Sequence, residues 1–109
     1  MKKNFDVIIV GMGPSGLVLC GLLANYGVKV GIFEKNESTV TEPRAVSIDD
    51  ESLRILQSFS IHQAVLKNVS QNYGSHYYDA KGKLFLKVVP NSCENGFFKR
   101  NAFDQPTFE

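Results

Sequence analysis

The stretch DVIIVGMGPSGLVLCGLLANYGVKVGIFEK, residues 6–35, restricts the fold more than any other part of the chain. An apolar run breaks at three glycines, becomes apolar again and ends on a single acid. Phe5 to Val10 is β-rich, too short for a helix and apolar on both faces, as in a buried parallel strand. From Ser15 to Tyr26 the period changes. Leu17, Cys20 and Leu23 or Ala24 recur at helical spacing, and Gly27 stands where a helix would stop. In Val28 to Glu34, Val28, Val30 and Ile32 alternate against Lys29 and Gly31, which reads as a second strand. Two parallel strands joined by a helix require a right-handed crossover.

The glycines lie at the turn between the first strand and the helix. Gly11-Met12-Gly13-Pro14-Ser15-Gly16 fits the pattern GxGxxG, and Glu34 ends the next strand 18 residues after Gly16. In that setting Gly11 permits a tight turn, Gly13 lets the backbone approach a pyrophosphate, and Gly16 lets helix and strand pack closely. The free amides of the helix N-terminus face phosphate oxygens, and Glu34 is suited to the hydroxyls of an adenosine ribose. These features together point to dinucleotide binding over a structural turn with a surface glutamate. The spacing leaves FAD and NAD equally open.

The remaining chain reads as loop, helices and a hairpin. Asn36 to Ser47 is polar, contains Pro43 and has no sustained period. Asp49, Asp50 and Glu51 place negative charge where a helix N-terminus favours it, and that is their expected role. Leu53, Ile55, Leu56 and Phe59 continue an amphipathic helix to about Ser60, and Ile61 to Lys67 suits a second, short one. Tyr73 to Asp79 and Leu84 to Val89 read as strands joined by Ala80-Lys81-Gly82-Lys83, with Gly82 in the left-handed position. Pro90 to Gly96 is a loop. After Phe97 to Arg100, NAFDQPTFE resembles a helix start with Pro106 in its first turn. Two parallel strands and a hairpin leave apolar faces uncovered, whereas parallel sheets are covered on both sides. The expectation is therefore an α/β chain forming, over residues 1–109, the first portion of a larger domain.

Several function classes are disfavoured. The net charge of +1, from 12 basic and 11 acidic side chains, supplies no field for nucleic acid or an anionic membrane surface. Tyr77, Tyr78 and Phe85 lack an accompanying basic stripe and read as sheet-packing groups. His62 and His76 have no companion ligand at metal spacing. Cys20 and Cys93 form no CxxC pair, and Cys20 reads as a small buried hydrophobe, so the cytoplasm is expected. Lys2 and Lys3 before an apolar stretch imitate a signal peptide. Asp6, the interruption from Gly11 to Gly16 and the second run ending at Glu34 argue against it. No uninterrupted apolar segment of ~20 residues, the length of a membrane span, occurs.

GMGPSG followed by a helix ending ANYGVKVGIFEK resembles the N-terminal FAD-binding motif of flavoprotein hydroxylases and related oxidoreductases. EPRAVSIDDESLRILQSFSI is similar to the segment after the second strand in class A flavin-dependent aromatic hydroxylases, nearest the 3-(3-hydroxyphenyl)propionate hydroxylase type. There a Pro-Arg-Ala loop leads into an Asp-Glu-rich helix. NAFDQPTFE resembles that family's Gln-Pro segment before an acidic helix. The matches run in order from residue 6 to residue 109.

The resemblance implies a Rossmann-like FAD-binding domain that opens as βαβ, continues through helices and then makes a β-hairpin. It implies that Gly11, Gly13, Pro14, Ser15 and Gly16 form the pyrophosphate turn of FAD, and that Glu34 holds the adenosine ribose with Lys35 beside it. It places Arg44 near the phosphates and ribityl chain, and Gln105 toward the ribityl–flavin side. The residues themselves leave Arg44 open between a phosphate donor and a solvated side chain. They leave Gln105 open between a ligand and a plain helix-start residue. A full-length member would use NAD(P)H, oxygen and FAD to hydroxylate a phenolic or other aromatic substrate. The family's Asp-Gly motif, its Gly-Asp motif near the flavin and its substrate-domain sheet are not in this sequence. No catalytic residue is expected here, and these residues alone are expected to be inactive. A flavin oxidoreductase without oxygenase activity, such as a dehydrogenase or halogenase, is the alternative. So is a non-catalytic nucleotide-binding or interaction fragment.

Overall fold

A computed structural model of the chain describes residues 4–109. Lys2 and Lys3, which imitate a signal peptide in the sequence, lie outside the described residues. The leading unit is the expected one. Strand β1 (Val7–Val10), helix α1 (Pro14–Asn25) and strand β2 (Val30–Phe33) follow in order, and the strands pair in parallel with Val7 opposite Val30 and Val10 opposite Phe33. Pro14 begins α1, where its missing N–H and fixed φ suit the first turn. Gly11 has φ +106, a conformation that an L side chain rarely adopts, and its N–H donates to the Phe33 carbonyl at 2.7 Å. The turn therefore leaves β1 sharply while bonded to the end of β2.

Burial corrects the first-strand expectation. Of β1 only Ile9 is buried, while Ile8 is 60% and Val10 88% exposed. A strand paired on one side alone, with one helix to cover it, cannot bury both faces. α1 is apolar around its circumference and has no fully buried residue, so Cys20 is half-buried.

The core lies elsewhere, beneath the next helix. After a loop, β3 (Ser47–Ile48) leads into α2 (Asp50–Ser58), and Ile48, Leu53 and Leu56 form the buried cluster. Leu53 and Leu56 are 0% and 1% exposed, whereas Ile55 turns outward at 44%. Val18 of α1, Phe59, Phe103 and Phe108 pack around them. An added Cβ at Gly21 would stand 2.6 Å from the Phe59 ring, so the absent side chain lets the end of α2 approach α1 closely. Asp49 caps α2, its Oδ1 accepting the Ser52 N–H at 2.8 Å. Asp50 is buried and accepts from Asn95 Nδ2 at 2.8 Å, so it anchors a distant loop in addition to favouring the helix end.

α3 (His62–Leu66) and β4 (Val69–Ser70) follow, then β5 (Ser75–Tyr78) and β6 (Leu84–Val88), which form the expected antiparallel hairpin with Gly82 at φ +78. Tyr77, Tyr78 and Phe85 are 45%, 57% and 65% exposed, which corrects their reading as packed groups: a two-stranded hairpin offers them no opposing layer. Arg100 ties this hairpin to the rest, its Nη1 donating to Ser75 Oγ at 2.7 Å and its carbonyl accepting the Tyr73 N–H at 2.9 Å. The last segment departs from expectation in its first half. Asn101–Phe103 is a strand, β7, lying between β3 and β4 with Ile48 opposite Asn101 and Val69 opposite Phe103. The helix, α4 (Gln105–Phe108), begins only after Asp104, which caps it through the Thr107 N–H at 3.1 Å. Among the described residues no helix is long and apolar enough to cross a membrane.

Candidate functional site

A cleft of about 820 Å³ runs between the start of α1, the end of β2 and the start of α4. Gly13, Pro14, Glu34, Lys35, Arg44 and Gln105 all line it. Gly11 and Gly16 lie behind its wall and shape the turn, and Ser15 faces the neighbouring cavity of about 420 Å³ beside α2. Six of the nine site residues expected from the sequence thus meet around one space, although residues 13 and 105 stand at opposite ends of the chain.

The glycine turn is built for close approach. Gly13 is the residue preceding α1, with extended dihedrals of φ −69 and ψ 176, and an added Cβ there would meet nothing within 4 Å. At Gly16 an added Cβ would overlap the Gly11 carbonyl oxygen and lie 3.5 Å from Ile9 Cγ2. One glycine keeps the cleft open and the other keeps helix and turn together. The first N–H groups of a helix have no intrahelical acceptor, and they carry the positive end of its dipole. The rim is open and presents backbone amides, a chemistry suited to an anion, and glycine at position 13 keeps it clear of a side chain.

Glu34 does more than its place after β2 suggested. Its Oε2 accepts the Met12 N–H at 2.9 Å and its Oε1 accepts the Asn36 N–H at 2.9 Å. These bonds, led by that from Met12, hold its carboxyl below the usual value of 4.5, with a smaller contribution from the Lys35 charge. The carboxylate therefore staples the glycine turn to the end of β2. Each oxygen keeps a lone pair free for a further donor. No periodicity carries this staple; the spacing of Glu34 from the glycines was its only trace in the sequence.

Arg44 lies in the long loop, exposed at the cleft, and no ion pair engages it among the described residues. Gln105 is different. It is 5% exposed, and its Oε1 accepts the backbone N–H groups of Arg44 at 2.8 Å and Ala45 at 3.0 Å. Its Nε2 donates to Glu109 Oε1 at 2.8 Å. Gln105 begins α4, in keeping with the helix-start reading, and its amide is also engaged in holding a loop. Glu109 was not singled out from the sequence, and its i+4 spacing from Gln105 was the available signal. His62, half-buried, meets the Phe97 ring edge to face with centroids 6.0 Å apart, and His76 is exposed. No group of three or more His, Cys, Asp or Glu side chains placed to hold a metal occurs among the described residues.

Residues 4–96 match the family model for the FAD binding domain. Over 101 residues the chain is 42% identical to a 3-(3-hydroxy-phenyl)propionate/3-hydroxycinnamic acid hydroxylase of Mycolicibacterium smegmatis, covering 93% of this chain and 18% of that protein. It is 41% identical over 105 residues to the protein of the same name from Comamonas testosteroni, covering 96% and 18%. The chain thus spans about a fifth of the length of these relatives. Among solved structures, the p-nitrophenol 4-monooxygenase PnpA of Pseudomonas putida DLL-E4 superposes with a TM-score of 0.80 at 22% identity, over 98% of this chain and 27% of that one. The flavin-dependent monooxygenase PieE, solved with FAD and substrate, gives 0.75 at 18% identity, over 95% and 20%. The fold is that of the FAD-binding part of flavin monooxygenases, and the chain belongs to the FAD binding domain family.

Proposed function

We propose that these residues form the adenosine and pyrophosphate side of the FAD site in a monooxygenase that hydroxylates a phenolic or other aromatic substrate with NAD(P)H and oxygen. The observation that carries the reading is the single cleft on which the α1 N-terminus, Glu34 and Arg44 converge. Gly11 sets the turn, Gly13 leaves room for the phosphates, and Pro14, Ser15 and Gly16 begin the helix whose amides face them. Glu34 accepts from the ribose hydroxyls while still bonded to Met12, and Lys35 adds positive charge at the rim. Arg44 offers a permanently charged, planar donor to the phosphates and the ribityl chain. Gln105 reaches the ribityl–flavin side with the one amide hydrogen that Glu109 does not use. FAD, when bound, supplies the electron transfer between NAD(P)H and oxygen.

The hydroxylase names of the curated relatives support the substrate class, and the two free cysteines go with a cytoplasmic setting. Binding is tested by titrating the purified chain with FAD and following flavin fluorescence, with ADP as competitor. Competition by ADP is the expected result, because the adenine side carries the contacts. Turnover belongs to a longer protein containing these residues. There, substrate-stimulated NAD(P)H oxidation with formation of a hydroxylated phenol is expected, and NAD(P)H oxidation without such product would favour an FAD-dependent dehydrogenase instead.

A further inference from the structure

The loop from Val40 to Ala45 belongs to no helix or strand, yet it carries Arg44 into the cleft. Its backbone is held from α4 at three points. Gln105 Oε1 accepts from the Arg44 and Ala45 amides at 2.8 and 3.0 Å, and Glu109 Oε2 accepts from the Val40 amide at 3.3 Å. An amide oxygen has two lone pairs, and both are used. The arrangement works only while the oxygen of Gln105 faces the loop, since a flipped amide would set its NH2 against two N–H donors. The choice is made at the other end of the side chain, where Nε2 donates to Glu109 Oε1 at 2.8 Å. A carboxylate only accepts, so it selects the NH2 and rejects the oxygen. Gln105 is nearly inaccessible to water, which makes a misoriented amide there costly.

We propose that Glu109 is a positioning residue that fixes the orientation of the Gln105 amide and thereby latches the 40–45 loop and the cleft wall bearing Arg44. Its effect on the cofactor rests on the reading of Arg44 given above, whereas the latch itself does not. An acid is required at position 109, because both of its oxygens accept. Glutamine there keeps the shape and loses one acceptor. Exchanging the two side chains restores the set: a carboxylate at 105 accepts from Arg44, Ala45 and the NH2 at 109, whose amide oxygen accepts from Val40.

The test is amide hydrogen exchange on the unliganded chain, read at Val40, Arg44 and Ala45 with Leu53 and Leu56 as the control for folding. Glu109→Gln is expected to speed exchange in the loop about tenfold, the loss of one partly buried hydrogen bond, with the control amides unchanged. The exchanged pair Gln105→Glu with Glu109→Gln is expected to return the loop to its original protection, which a nonspecific loss of packing at position 109 would not allow. Unchanged loop exchange in Glu109→Gln, or no recovery in the exchanged pair, overturns the latch. Glu109→Gln is also expected to weaken FAD binding roughly three- to tenfold, an effect absent in the Arg44→Ala background. If Arg44→Ala weakens FAD and Glu109→Gln does not, positioning of Arg44 is refuted. If Arg44→Ala leaves FAD affinity unchanged, the cofactor role given to Arg44 falls, and the exchange rates alone still decide the latch.

Discussion

Gly13 and Gly16 stand in one turn, yet an added side chain meets opposite surroundings at the two positions. At Gly16 the new Cβ overlaps the Gly11 carbonyl oxygen and approaches the Gly11 carbonyl carbon to 3.2 Å. Alanine in a helix gains about 1 kcal/mol over glycine. Overpacking against backbone, which has no rotamer to escape into, costs about 1–3 kcal/mol and here falls at the upper end. Gly16→Ala is therefore expected to lose about 2 kcal/mol net, or roughly 10 °C in Tm for a chain of this size. Gly13 has open space within 4 Å and extended dihedrals that valine adopts without strain. Gly13→Val should stay within about 1 kcal/mol of the original stability, since a weaker N-cap and a stiffer unfolded chain offset each other. Its FAD affinity should nonetheless fall about ten- to a hundred-fold, the equivalent of one lost charge-assisted contact to the pyrophosphate. Thermal unfolding by circular dichroism and FAD titration by fluorescence give the two axes. Undiminished FAD affinity in Gly13→Val would refute the cradle, and a Gly16→Ala chain more stable than the original would refute the packing argument.

Glu34→Ala removes both the staple to Met12 and the ribose acceptor, so FAD should bind about ten- to a hundred-fold more weakly, measured by the same titration. Because the Glu34 carboxyl is held below 4.5, its stabilisation of the turn is fully present above that value and is lost as pH falls through the lower folded value. The Met12 amide resonance should therefore titrate with a midpoint below 4.5, and a higher midpoint would contradict the hydrogen bond. Asp50→Asn weakens the bond to Asn95 as well as the helix-end interaction, and about 1–3 kcal/mol of stability should be lost. In an Asn95→Ala background most of that loss should disappear in chemical denaturation, whereas a purely dipolar role predicts no coupling. Leu53→Ala, at a fully buried position, should cost about 2–5 kcal/mol in the same assay, and a smaller change would place the core elsewhere.

The sequence by itself determined the features that a few neighbouring residues control. The turn at Gly11, the start of α1 at Pro14, the hairpin at Gly82 and the amphipathic face of α2 each follow from local backbone geometry or from one period. The Asp49–Ser52 cap and the place of Pro106 in the first turn of α4 belong to the same class. The grouping of the glycines with Glu34 was legible because the strand–helix–strand unit has a fixed chain length. Only the tertiary structure decided what depends on partners far along the chain. β7 is three residues long and exists as a strand because β3 and β4 flank it, a pairing that no propensity over Asn101–Phe103 announces. The outward faces of Ile8 and Val10 and the exposure of Tyr77 reflect which layers are present, a property that alternation along one strand does not contain. Gln105 and Glu109 reach the same loop, across 61 and 69 residues of chain. Their roles arise from hydrogen-bond geometry in a buried space, where an acceptor-only carboxylate fixes which end of an amide faces the cleft wall.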